Sequence, residues 1–300
     1  MNPPWRTTFV GIGVQKSAST WLHDVLSDHP SVLVSNKKEL DFFSYFWDRG
    51  FDWYHRQFPE NADRRFIAAG ETSPSYFHCA DAPRHVKKYN PDIRIVLSLR
   101  DPVTRAYSNH VHDIRQGFLL GPDLSFETGL ANNPAYVEQG MYATHFKRWL
   151  SEFDSKQILV VLQEDIVENP SAVARAMYEF VGVDPDYQSS IINKRSNERQ
   201  AVKNIWLAKN IDRLRSISVD SGHGLNWIWA SAKMIGLKKL YRKFNVVPAH
   251  ELIPPMKPET EDLLRTQFRA EIEELETLIG RSLRHWRVPS SAKPKHPQAQ

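Results

Sequence analysis

The residues best suited to chemistry come early in the chain. Lys16 stands in Gln15-Lys16-Ser17-Ala18-Ser19-Thr20, a short stretch that brings one cation together with three hydroxyls. It is preceded by an apolar, β-branched run over residues 7–14 and followed by Trp21, Leu22, Val25 and Leu26 at helical spacing. A loop that runs from a strand into a helix is an anion site, because unpaired N–H groups and the positive end of the helix dipole face the ligand. Lys16 adds a mobile cation, and Ser17, Ser19 and Thr20 add hydroxyl donors. Ser17 or Ser19 is expected to cap the helix. A second basic group, Arg100, follows the apolar run 93–99 and opens Arg100-Asp101-Pro102-Val103-Thr104-Arg105-Ala106-Tyr107-Ser108. Its planar fork suits a phosphate, and it leaves the carboxyl end of a strand, where open α/β sheets bind ligands. Pro102 can start a helix, on which Ser108 supplies a further hydroxyl.

Two familiar nucleotide motifs fail on the first loop. A Walker A loop needs glycine immediately before the lysine and another five residues earlier; here those places hold Gln15 and Val10. A dinucleotide fingerprint is met at Gly11 and Gly13, but its last glycine is Lys16. The segment 15–22 instead resembles the 5′-phosphosulfate loop of sulfotransferases, commonly Pro-Lys-Ser-Gly-Thr-Thr-Trp. Residues 100–108 resemble that family's 3′-phosphate motif, Arg-Asp-Pro-x-x-Arg-Ala-x-Ser. Lys38-Glu39-Leu40-Asp41-Phe42-Phe43 and Gly70-Glu71-Thr72-Ser73-Pro74-Ser75-Tyr76-Phe77 are similar to segments of heparan-sulfate-type sulfotransferases. Gly140-Met141-Tyr142, His145, Trp149 and Glu164-Asp165 match a block shared with their bacterial relatives. The resemblance covers about residues 8–185. Asp41 stands where that family often has His and Thr72 where it often has Lys, so glycan specificity does not carry over.

The resemblance implies a P-loop-like parallel α/β sheet flanked by helices, with a helical C-terminal part. It implies 3′-phosphoadenosine 5′-phosphosulfate (PAPS) as co-substrate and adenosine 3′,5′-bisphosphate (PAP) as product. Lys16 and Glu39 become the catalytic residues, Glu39 as the base. Lys16, Ser17, Ala18, Ser19, Thr20, Trp21, Arg100, Ser108 and Tyr142 become the donor-binding set. For Glu39 an ion pair with Lys38 is the competing role, and Asp41 or a histidine is the competing base. Tyr142 also belongs to the stripe Tyr142, Phe146, Trp149 and Phe153, which reads as core. No metal is implied, and His110 and His112, two apart on a helix, diverge. The acceptor is a small molecule or glycan bearing a hydroxyl or amine.

Elements that must hold these residues follow from periodicity. Strands are expected over 7–14, 31–35, 66–70, 93–99 and 158–162, with helices at 80–89, 103–116, 141–153 and 172–181 between them. That alternation predicts a doubly wound sheet. From about 200 the chain reads as helical, ending in 259–286; the reading is one domain over 1–288 with a disordered tail over 289–300. A segment with Trp227 and Trp229, 222–245, reads as core helix or lid rather than a membrane-surface helix.

Composition bounds the alternatives. Of 300 residues, 41% are hydrophobic and 25% charged, which excludes a disordered chain or a fibre. No run approaches the ~20 apolar residues of a membrane helix, and no apolar signal region is seen. The single cysteine, Cys79, has no internal disulfide partner, which favours a reducing, cytoplasmic setting. A net charge of +4, spread along the chain, suits a small anionic ligand better than nucleic acid. Two other classes remain: a P-loop kinase or NTPase, for which 158–165 passes as a Walker B strand, and a non-catalytic nucleotide-binding module.

Overall fold

The computed structural model describes residues 5–59, 66–116, 118–119, 124–193, 200–202, 246–248 and 253–289. Five short apolar runs form one parallel sheet in the order β2-β3-β1-β4-β5. The strands are β1 (Phe9–Gly13), β2 (Val32–Val34), β3 (Ala68–Thr72), β4 (Arg94–Leu99) and β5 (Ile158–Leu162). Helix α1 (Ser19–Asp28) joins β1 to β2, and α2 (Gly50–His55) precedes β3. Helix α3 (Ala82–Tyr89) leads to β4, and α4 (Pro102–Gln116) leaves it. Then come α5 (Phe126–Asn132), α6 (Ala135–Glu138), α7 (Tyr142–Leu150), α8 (Gln163–Glu168), α9 (Pro170–Val181) and, after two short strands, α10 (Pro258–Ile279). The expected sheet, and its flanking helices, are what is found. Helix α7 stops three residues short of the expected end, where Ser151 takes the C-cap.

Strand alternation sends Phe9, Val96 and Val161 to one face, where Trp21, Leu22, Val25 and Leu26 of α1 meet Val173, Ala174, Met177, Tyr178 and Val181 of α9. Val10, Ile12, Ile95 and Leu97 occupy the alternate positions and are equally inaccessible to water. Burial on both faces explains why these strands read as continuous apolar runs. An aromatic cluster of Phe42, Phe43, Tyr54 and Tyr89 packs beside α2 and α3.

The chain divides into two compact units. The first comprises Met1–Ala106, Ala135–Ser196 and Pro258–Gln300 and contains the whole five-stranded sheet; the second comprises Tyr107–Pro134 and Asn197–Lys257. In the second unit, Ile114 and Ile253 form a small core with Val111, Leu119 and Leu124. There β6 (Gln200–Val202) pairs antiparallel with β7 (Val246–Pro248). The expected helical C-terminal part is present as α10, Pro258–Ile279; the short β6–β7 pair was not expected, and the β-branched Val246 and Val247 suit it. The expectations for 222–245 and for 290–300 lie outside the described residues.

Candidate functional site

Strand order determines where a ligand can sit. The chain leaves β1 towards β2 on one side and leaves β4 towards β5 on the other, while β1 and β4 are hydrogen-bonded neighbours. Their carboxyl ends therefore flank a topological switch point, the place where open parallel sheets bind ligands. Lys16 lies just beyond β1 and Arg100 just beyond β4. The two motifs, 84 residues apart, touch: Arg100 Nη1 donates to the Lys16 carbonyl oxygen at 3.2 Å. Arg100 Nε donates to Thr104 Oγ1 at 3.1 Å. The Arg100 carbonyl accepts from the Tyr142 hydroxyl at 3.0 Å.

The first loop is held from beneath. Val14 N donates to the Ser98 carbonyl at 2.7 Å. The Ser17 hydroxyl is buried 2.6 Å from the Val14 carbonyl, 2.8 Å from that of Ser98 and 2.9 Å from the Ser98 hydroxyl. Ser17 thus pins the loop to β4 and does not cap α1. The cap position belongs to Ala18, at φ 67°, and no side chain caps the helix, so the expectation of a Ser17 or Ser19 cap is corrected. An inward serine finds two carbonyls in the core, which satisfies it better than a helix end would. Gly13 makes the turn possible at φ 130°, where a Cβ would come 2.8 Å from the Pro74 carbonyl. Lys16 and Ala18 are both left-handed, at φ 68° and 67°. Lys16, Ala18 and Thr20 are half-buried, whereas Ser19 and Trp21 are buried. The Trp21 ring packs in the core and its Nε1 donates to the Ile192 carbonyl at 3.0 Å.

The acidic loop is strained in the same way. Glu39 and Asp41 have φ 65° and 52°, so four of the non-glycine residues in left-handed backbone lie on these two loops. Such strain persists only where the surroundings over-determine it. Here Glu39 N donates to the Thr72 carbonyl and Asp41 N to the Ser73 hydroxyl, both at 3.0 Å, while Leu40 is buried. Ser73 N in turn binds the Gly11 carbonyl at 2.9 Å, which ties the acidic loop to the end of β1. The Glu39 carboxylate is half-exposed and paired with Lys38. Asp41 accepts from Ser75 at 2.6 Å, and Ser75 meets Ser44 at 2.8 Å. Burial is the main cause that raises the Asp41 pKa. Thr72 is buried.

Sequence reasoning assigned no role to Glu71. Its carboxyl is fully buried beneath this loop, accepts from Ser73 at 2.8 Å, and is pushed up by burial to about 8. It is therefore mostly neutral at pH 7. Ser108 lies on α4 and is half-buried; Arg105, from the same motif, is buried and binds Gln139 and the Tyr136 carbonyl. Tyr142 is buried with Phe146, Trp149 and Phe153, as a core stripe requires. Its hydroxyl nonetheless reaches the Arg100 backbone.

The carboxylates of the Walker B reading, which follow β5, are engaged by side chains from the C-terminal segment. Glu164 accepts from Trp286 Nε1 at 2.7 Å, and Asp165 holds Arg281 at 2.7 and 2.8 Å. These pairs keep both carboxylates low. Among the described residues no group of three or more His, Cys, Asp or Glu side chains is placed to hold a metal. No helix among them is long and apolar enough to cross a membrane.

Comparison with known proteins agrees with this fold. The model of the sulfotransferase domain matches residues 6–227. Heparan sulfate glucosamine 3-O-sulfotransferase 6 of Mus musculus is 32% identical over 177 residues, covering 57% of this chain and 51% of that protein. Bifunctional heparan sulfate N-deacetylase/N-sulfotransferase 3 of Mus musculus is 32% identical over 200 residues, covering 61% of this chain and 23% of that protein. The chain thus spans between about a quarter and about half of the length of these relatives. A crystal structure of a sulfotransferase from Alicyclobacillus acidocaldarius superposes with a TM-score of 0.68 over 95% of this chain and 100% of its own, at 24% identity.

Proposed function

The chain belongs to the sulfotransferase family, and from that premise we propose that it moves a sulfuryl group from PAPS to an acceptor hydroxyl or amine. The observation that best supports this reading is the contact of the Arg100 guanidinium with the Lys16 backbone carbonyl at the switch point, which brings the two basic loops together. Arg100, with Ser108 further along α4, takes the 3′-phosphate. Lys16, the N–H groups at the start of α1 and the hydroxyls of Ser19 and Thr20 take the phosphosulfate. Ser17, Trp21 and Tyr142 support the site from the core side.

Transfer is in line. The acceptor oxygen or nitrogen bonds to sulfur while the bond from sulfur to the bridging oxygen breaks, and that electron pair stays on the 5′-phosphate of PAP. Lys16 neutralises the charge developing there, in the manner of phosphoryl transfer. The acceptor proton passes to Glu39, the half-exposed carboxylate of the strained loop, with Asp41 as the second candidate. Cationic side chains and the helix terminus supply the neutralisation, so the reading needs no metal. The acceptor is proposed as a small molecule or glycan, and a cytoplasmic setting rests on the single cysteine, Cys79, which is free.

The test is an acceptor screen with PAPS, read out by PAP release. Acceptor-dependent PAP release with a sulfated product is expected. PAP binding without turnover on any hydroxyl or amine would favour the non-catalytic module instead.

A further inference from the structure

Among the described residues, Arg265, on α10, is one of the few basic side chains sealed from water, at 4% exposed. Its guanidinium is shared among three partners. Nε and Nη2 donate to Glu261 Oε1 at 2.9 and 2.6 Å, Nη1 also donates to the Trp286 carbonyl, and both Nη1 and Nη2 lie 3.3 Å from Asp101 Oδ2. The other oxygen of that carboxylate, Oδ1, accepts Val103 N at 3.0 Å and Thr104 N at 3.4 Å. One buried carboxylate is therefore divided between the first turn of α4 and an arginine 164 residues away.

We propose that Arg265 is a positioning residue for Arg100: through Asp101 it sets the backbone from which the Arg100 guanidinium is aimed. This rests on the reading of Arg100 as the 3′-phosphate ligand. Asp101 directly follows Arg100. The Tyr142 hydroxyl holds the carbonyl between them at 3.0 Å, and the Tyr142 ring meets the Trp286 ring edge-on at 6.2 Å. Asp101 and Tyr142 thus grip the same peptide, one through the helix start and one through the carbonyl. Arg100 reaches Thr104 and Lys16 from that peptide, so a small rotation there moves its fork away from both. Two side-by-side N–H groups suit a carboxylate in a way a lysine cannot reproduce, since an ammonium does not span Asp101, Glu261 and a carbonyl together.

The experiment titrates PAP by calorimetry into the wild type, Arg100→Ala, Arg265→Met, Arg265→Lys and Leu275→Ala, with melting temperatures measured alongside. Leu275 is buried on the same helix and its truncation leaves a cavity. Arg265→Met is expected to weaken PAP binding at least about tenfold, with partial recovery in Arg265→Lys, a factor well above calorimetric error. Leu275→Ala is expected to lower the melting temperature and leave PAP affinity within about twofold. If Arg265→Met does not fold, Asp101→Asn, which keeps the helix-capping oxygen and removes the charge, carries the same tenfold expectation. Wild-type PAP affinity in Arg265→Met, or in Asp101→Asn, overturns the inference, as does an equal loss in Leu275→Ala. Failure of the wild type to bind PAP overturns the donor reading itself, and the inference with it. Loss in Arg100→Ala alone keeps that reading and rejects the role of Arg265.

Discussion

Replacing Glu71 by Gln tests whether the acidic loop is built over a neutral acid. The carboxyl is fully buried; burial raises its pKa, the Tyr76 and Ser73 hydroxyls and Lys38 lower it, Asp41 raises it, and the balance is about 8 against an ordinary 4.5. The folded value is the higher one, so between those limits the folded protein keeps a proton that the unfolded chain releases. The stability Glu71 contributes is full below pH 4.5, falls as pH rises, and is lost above about 8. Each pH unit between the two values is worth about 1.4 kcal/mol, so an interval of roughly 3.5 pH units amounts to at most about 5 kcal/mol. That is a large part of the ~5–15 kcal/mol that holds a typical domain together. Gln keeps an acceptor for Ser73 and has no charge to gain. Urea unfolding at pH 5, 6, 7 and 8 is expected to show the variant gaining on the wild type by about 1 kcal/mol per pH unit. Parallel curves over that range would refute the assignment of Glu71 as a neutral buried acid.

The other expectations concern the donor and acceptor ends. Arg100→Ala is expected to weaken PAP binding, by about 2–5 kcal/mol if bound PAP buries the ion pair, measured by calorimetry, and unchanged affinity removes Arg100 from the site. Lys16→Ala should lower turnover more than PAP affinity, because its charge matters most in the transition state; equal losses would indicate ground-state binding alone. Glu39→Gln should cost about 10²–10⁴-fold in rate with donor affinity kept, whereas a near-normal rate moves the proton to Asp41 or a nearby histidine. EDTA should leave PAP release unchanged, and loss with rescue by magnesium would contradict the metal-free reading.

Much of the scaffold was legible in the residues themselves. Continuous apolar runs such as Ile158–Leu162 name a buried parallel strand because both of its faces must be covered. Lys16 and Arg100 were legible because each follows such a run and precedes a helical pattern, and local turn chemistry leaves few other places for them. The resemblance of residues 15–22 and 100–108 to sulfotransferase motifs could be read at the same level, since those motifs are contiguous.

What only the tertiary structure decided depends on contacts between distant segments. No local pattern places β4 beside β1, yet that neighbourhood brings Arg100 to the Lys16 carbonyl. Ser17 reads equally well as a cap or as a core pin, and the choice fell to carbonyls from Ser98, 81 residues on. Glu71 lies in a strand and reads as an ordinary polar position; complete burial of that face makes it a neutral acid. Arg265 reads as one more basic residue on a charged helix until Asp101 is placed against it, 164 residues away. Periodicity and turn residues are set by neighbours a few positions apart, so they specify elements and the loops that join them. Partners of buried charges are set by the packing of whole elements, and that information appears only once the chain has closed on itself.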